Sequence, residues 1–272
     1  MADNGENSGI SLRTFTDVDV SPALAAYIAG LESFDAIPQL QDLKGIARQQ
    51  VTPGASVLDV GCGFGLETER LFAAAAPDGL ICGIDKSAAF ITEARRRAAE
   101  KGMDIAYEVG DATALPYARR QFDVVRAERL LIYLDDPLLA ISEMKRVMHR
   151  GALLALIEPD LTLMSVNVPN RDLVRRILAH ECDTAVHNSW LPGRLRDMLT
   201  GAGFKDVSLA TRVVVFPQDL AVHYFIPMAE QAERARKITA DELAEWREAL
   251  TALHAREGLF CTIGYFLFMA RA

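Results

Sequence analysis

The residues best suited to chemistry start with three glycines at alternate positions. Gly61, Gly63 and Gly65 follow directly on Val57-Leu58-Asp59-Val60. Glycine has no Cβ, so a turn of this kind lets backbone approach a ligand closely before a helix begins. Asp85 lies 20 residues beyond Gly65, where an ionised carboxylate can accept hydrogen bonds from a ribose diol. Gly110-Asp111-Ala112 comes next: the carboxylate of Asp111 suits an exocyclic adenine amine, and the Ala112 backbone N–H suits a ring nitrogen. Candidate proton carriers are Tyr133, Glu128, Glu158 and Asp160 near strand ends, with His180, His187 and His223 further along. His149 and His254 sit among charged neighbours and are expected to be solvated.

These residues need a scaffold, and the hydrophobic pattern supplies one. Residues 21–51 read as helical, with Leu24, Tyr27, Ile28 and Leu31 on one stripe and a break at Pro38. Strands are expected over 56–60, 80–84, 105–109, 122–126 and 153–157, alternating with helices over 64–76, 87–101 and 136–148. Short, continuously apolar strands separated by helices imply a parallel sheet covered on both faces. In such a doubly wound sheet the ligand lies beyond the carboxyl ends of the strands. Further strands are expected over 207–215 and 259–269. Helical segments over about 160–190 and 217–258 would cap the site; the second carries a capping box, Thr239-x-x-Glu242. The reading is one α/β domain over 16–272 with its binding core at 55–158, behind a disordered leader at 1–15.

Composition narrows the partners. A net charge of -8 argues against a broad nucleic-acid footprint, because phosphate binding needs clustered Lys and Arg. Arg95-Arg96-Arg97 is expected to be a solvated helix face. The four cysteines are scattered without Cys-x-x-Cys pairing, which favours buried free thiols in a cytoplasmic protein over a metal site or a disulfide framework. No run reaches the length of a membrane span. A monomer or homodimer acting on a small molecule is expected.

Three readings of the glycine turn remain open on its own residues: a dinucleotide site, an S-adenosylmethionine site, or a turn that binds nothing. A pyrophosphate fingerprint is Gly-x-Gly-x-x-Gly, whereas the third glycine here comes one residue early. Asp85 suits NAD and S-adenosylmethionine equally. Taken together, the run 57–65, Gly83-Ile84-Asp85, Gly110-Asp111-Ala112, Leu115-Pro116 and Phe122-Asp123-Val124-Val125 resembles the class I S-adenosylmethionine-dependent methyltransferases. The similarity is greatest to the small-molecule branch that includes ubiquinone/menaquinone-type and natural-product enzymes.

The resemblance implies a Rossmann-like, doubly wound, mostly parallel seven-stranded sheet with N-terminal helices and helical lid insertions. It implies that Asp59 and the backbone of Gly61, Cys62, Gly63 and Gly65 hold the methionine moiety. Asp85, with Lys86 beside it, would take the ribose; Gly110, Asp111 and Ala112 would read adenine; Arg126 and Glu128 would lie beneath the sulfonium. Tyr27 either closes over the methionine carboxylate or packs as a core aromatic. The branch often carries His where Tyr133 stands. The expected reaction is methyl transfer to O, N or C of a small, partly apolar metabolite, releasing S-adenosylhomocysteine without a metal. Tyr133, Glu128 and His223 are the catalytic candidates. A cofactor-binding protein that catalyses a non-methylating reaction such as cyclisation is the alternative, and an NAD-dependent oxidoreductase the more distant one.

Overall fold

The computed structural model describes Asp19 and residues 24–272. The leader expected at 1–15 and the start of the first helix lie outside these residues. Two helices open the described chain, α1 (Leu24–Asp35) and α2 (Pro38–Arg48). Pro38 is the reason they are two: it occupies the first turn of α2, where its missing N–H leaves no hydrogen bond unmade.

Then come β1 (Val57–Val60), α3 (Leu66–Ala75), β2 (Ile81–Asp85), α4 (Ala88–Glu100), β3 (Ala106–Val109) and β4 (Phe122–Glu128). A short 3-10 turn (Leu131–Tyr133) leads to α5 (Pro137–Val147), β5 (Met148–Val166), α6 (Arg171–Thr184) and α7 (Pro192–Gly201). The chain continues through β6 (Lys205–Val215), α8 (Gln218–Arg234), α9 (Ala240–Ala255) and β7 (Cys261–Arg271). The expected capping box is present on α9.

The seven strands form one sheet in the order β3-β2-β1-β4-β5-β7-β6. Neighbours from β3 through β5 run parallel, while β7 is antiparallel to both β5 and β6. Successive strand residues point to opposite faces, and both faces are buried. Leu58, Val60, Val125 and Leu154 join one apolar cluster, while Val57, Ile81, Val124 and Leu153 join another.

One expectation needs correction. The fifth strand does not stop at Ile157 but runs on to Val166, through the start of the expected cap. The cause is β7, which pairs with β5 from Leu153 to Asp160 and again at Ser165 and Val166, keeping the chain extended. In the arginine run Arg95 and Arg96 are exposed, as expected, while Arg97 is half-buried. Arg96 pairs with Glu93 and Glu100, but Arg97 reaches Glu32 at 2.7 Å and lies over the Phe64 ring. Arg95 donates to the Tyr107 carbonyl at 2.6 Å.

Candidate active site

A cleft of about 570 Å3 opens at the carboxyl ends of β1, β2, β3 and β4. Its first wall is the glycine turn. Gly61, Gly63 and Gly65 all have positive φ (72°, 55° and 88°), a conformation that suits glycine. Gly61 and Cys62 donate their N–H groups to the Ile84 carbonyl, which locks the turn onto β2. Gly61, Cys62 and Gly63 line the cleft. Gly65 lies off the cleft, because it caps α3 against Tyr107; a Cβ there would meet the tyrosine oxygen at 2.4 Å.

Asp85 ends β2 at the centre of the cleft. Its Oδ2 accepts the Gly63 N–H at 2.8 Å and its Oδ1 the Ser87 N–H at 2.9 Å. Each carboxylate oxygen has a further lone pair, so the group can still accept from a diol. Burial pushes its carboxyl up, against the pull of those two N–H bonds. Lys86, exposed, and Gly110, Asp111 and Ala112 complete this end of the cleft. Asp111 is held by an Asx turn in which the Thr113 N–H and hydroxyl both donate to Oδ1. Asp19, unforeseen as a site residue, also lines the cleft and accepts from Ser87 Oγ and the Ala88 and Ala89 N–H groups at the start of α4.

At the other end the floor is a buried ionic network. Asp59 is fully buried beneath the turn and absent from the lining; it accepts from Thr68 Oγ1 at 2.7 Å and Arg126 Nη1 at 2.9 Å. The register places Asp59 beside Arg126 on β4, which accounts for the pair. Asp59 therefore ties α3, β1 and β4 together under the ligand position. Arg126 also pairs with Glu128, and Glu128 Oε2 accepts from Lys44 Nζ at 2.8 Å. Lys44 reaches on to Asp35, which accepts from Arg70 at 2.7 Å.

Burial alone would push the Glu128 carboxyl up. Lys44, Arg126 and Arg129 overcome it and bring the group down to about 2. Glu128 is thus an ionised strut and a poor proton acceptor. Tyr133 lines the cleft, and burial holds its phenol well above the ordinary range despite Arg129, so it stays a hydroxyl at neutral pH.

Other expected positions fall outside the lining. Tyr27 packs in the core, where it stacks on the cleft-lining Phe90 at 6.2 Å. His223, expected in the catalytic set, lies outside the lining: it is exposed on α8, with Nδ1 2.7 Å from the Asp219 carbonyl of its own helix. His180 is buried in α6 away from the lining. Asp160 is turned onto Thr162, whose N–H and hydroxyl both donate to it. Glu158 sits wholly buried behind the 3-10 turn, with Oε1 accepting the Leu130 and Leu131 N–H groups at 3.1 and 2.8 Å. His187 does line the cleft, with Nδ1 2.6 Å from Asp135 Oδ1.

Lys44 and Arg129 line the cleft too; Arg129 closes the expected stretch 126–129 at the end of β4, while Lys44 did not stand out in the sequence as a site residue. Lys44 had a signal: it falls beside Leu40, Leu43 and Ala47, all buried with it on one face of α2. Arg129 adopts a positive φ of 48° and lies over the Phe34 ring, a conformation no spacing rule reveals.

The donor set also tests the ligand type. A dinucleotide would set its pyrophosphate on the N-terminus of α3. There the cleft presents Glu67, a buried carboxylate in the first helical turn, held by Arg48 at 2.7 Å and by Arg70. An acid at that point takes the arginines that phosphate would need and suits a phosphate-free ligand.

A parallel sheet with an antiparallel seventh strand, and a carboxylate-lined cleft at its carboxyl edge, defines a Rossmann-like methyltransferase fold. The methyltransferase-domain family model matches residues 51–213, and the chain belongs to that family. S-adenosyl-L-methionine is the cofactor of the family, and the cleft chemistry fits it. The chain is 29% identical to an uncharacterized 37.1 kDa protein in transposon TN4556 of Streptomyces fradiae, over 79% of this chain and 61% of that protein. It is 35% identical to the ubiquinone biosynthesis O-methyltransferase of Coxiella burnetii, over 35% of this chain and 39% of that enzyme. The matches therefore span less than two thirds of either relative. Among solved structures the (4+2)-cyclase SpnF superposes with a TM-score of 0.55 at 23% identity, covering 85% of this chain and 81% of that one. Among the described residues, no helix is long and apolar enough to cross a membrane.

Proposed function

We propose that the protein transfers a methyl group from S-adenosyl-L-methionine to O, N or C of a small, partly apolar metabolite in a biosynthetic pathway. The reading rests on one observation above all. The nucleoside end of the cleft carries Asp85 and Asp111, while the helix terminus that would seat a phosphate carries Glu67. When bound, the cofactor supplies an electrophilic methyl on a sulfonium. Asp85 accepts the ribose hydroxyls, Asp111 and Ala112 meet the adenine, and the backbone of Gly61 to Gly63 faces the methionine end. Arg126 and Glu128, fixed by Asp59 and Lys44, form a rigid floor beneath it.

Aligning acceptor and methyl in the cleft supplies much of the catalysis, up to about 7–11 kcal/mol for well-oriented reactants. We place the reaction in the cytoplasm, where a reducing environment suits four buried free cysteines. The similarity to an O-methyltransferase agrees with this reading. The cyclase neighbour shares the fold, and release of S-adenosylhomocysteine separates methyl transfer from a non-methylating reaction.

Calorimetry with S-adenosylmethionine tests the assignment. Asp85→Ala removes an ionised acceptor for two hydroxyls, each hydrogen bond worth about 1.5–3 kcal/mol, so the Kd should rise about 100-fold or more. Unchanged affinity would overturn the ribose assignment. Tight binding of NAD by the wild type would overturn the cofactor reading.

A further inference from the structure

We propose that His187, oriented by Asp135, is the general base of the reaction, and that the acceptor carries an acidic hydroxyl, a phenol or enol on a partly apolar scaffold. The proposal deepens the methyl-transfer reading and rests on it. His187 and Asp135 both line the cleft and pair at 2.6 Å through Nδ1. A carboxylate on Nδ1 fixes the proton there and leaves the Nε2 lone pair to accept.

The pair does not hang on a loose loop. The Asn188 N–H donates to the Ile132 carbonyl at 3.0 Å, and its side-chain amide donates to the Leu131 and Leu134 carbonyls at 3.2 and 2.7 Å. Ser189 closes the other side, donating Oγ to the Cys182 carbonyl and accepting the Leu161 N–H at 3.0 Å. The segment carrying His187 is thus strapped to the turn carrying Tyr133, and both face one cleft.

The competing groups are chemically spoken for. Glu128 is locked between Lys44 and Arg126, Glu158 lies enclosed behind the turn, and His223 is outside. The acceptor class follows from what a base accomplishes. A neutral amine attacks through its lone pair before it loses a proton, and a carboxylate has none to lose. A phenolic or enolic O–H gains most from a base, and Leu130 and Leu134 offer apolar wall beside the pair. In the step, the hydroxyl oxygen bonds to the methyl carbon and the C–S bond breaks with its electron pair going to sulfur. The hydroxyl proton passes to Nε2, and the resulting imidazolium is held by Asp135 until water takes the proton.

Two phenols of different acidity serve as probes, unsubstituted phenol and 4-nitrophenol, assayed at a pH where only the second is ionised. His187→Gln should lose at least about 100-fold more rate on phenol than on 4-nitrophenol, within the usual range for general-base catalysis. Equal losses on both would overturn the proposal. So would a wild type that binds S-adenosylmethionine and methylates an amine but neither phenol, which leaves methyl transfer intact; failure to bind the cofactor removes the wider reading instead. A readout free of turnover is the 15N imidazole spectrum of His187. The wild type should show the Nδ1–H tautomer and Asp135→Ala a mixture; a mixture in both would overturn the orienting role.

Discussion

Glu158 shows how much one enclosed side chain can set. Burial pushes its carboxyl up to about 8 from an ordinary 4.5, against two backbone N–H bonds and Arg129 that pull it down. The folded state therefore holds this proton more tightly than the unfolded chain does. Its contribution to stability is fully present below about pH 4.5 and is lost as pH rises toward about 8, at up to about 1.4 kcal/mol per pH unit. Glu158→Gln keeps an oxygen for the Leu130 and Leu131 N–H groups and cannot ionise. Urea denaturation between about pH 5 and 8 should show a flatter decline in the variant, and an identical slope would contradict the assignment.

Elements decide where these residues meet, and here the legibility of the sequence divides. The inner strands of the parallel half were readable because a strand buried on both faces is a short, largely apolar run, as in Val57–Val60 and Ile81–Asp85, whereas the edge strand β3 is mostly exposed. The acids at their ends followed from the rule that ligands sit at that edge. The far reach of β5 was not readable, since only pairing with β7 keeps residues 158–166 extended. Nor was the partnership of His187 with Asp135, which depends on how the segment after α6 lies over the turn after β4. Gly65 is a case where the residue was readable and its reason was not. Its φ of 88° and the closeness of Tyr107 make it a joint between β1 and α3. Gly65→Ala should cost about 2 kcal/mol or more in thermal unfolding, and Tyr107→Phe should recover part of that loss. No recovery would place the strain elsewhere.

At the scale of the whole molecule, the ionic floor fastens the N-terminal helices to the sheet. Asp35 on α1, Lys44 on α2 and Glu128 on β4 form one chain of contacts. Burial works against ionisation of both acids. Their cationic neighbours prevail and hold each down to about 2, from ordinary values of 3.8 and 4.5. This contribution is present above about pH 4.5 and disappears as pH falls toward about 2. Lys44→Met leaves buried carboxylates short of a partner and should cost about 3 kcal/mol at neutral pH. The penalty should shrink on acidification in a chemical-denaturation series, and a pH-independent penalty would show that lost packing dominates instead. The opposite half of the sheet is joined by β7, which among the described residues alone connects β6 to the remaining strands. During translation, β6 is synthesised before α8, α9 and β7. A nascent chain halted at that stage presents a bare β5 edge and an orphan β6, two surfaces prone to stray pairing. The order of synthesis thus runs against the order of assembly. Until β7 emerges, β5 and β6 lack the strand that joins them.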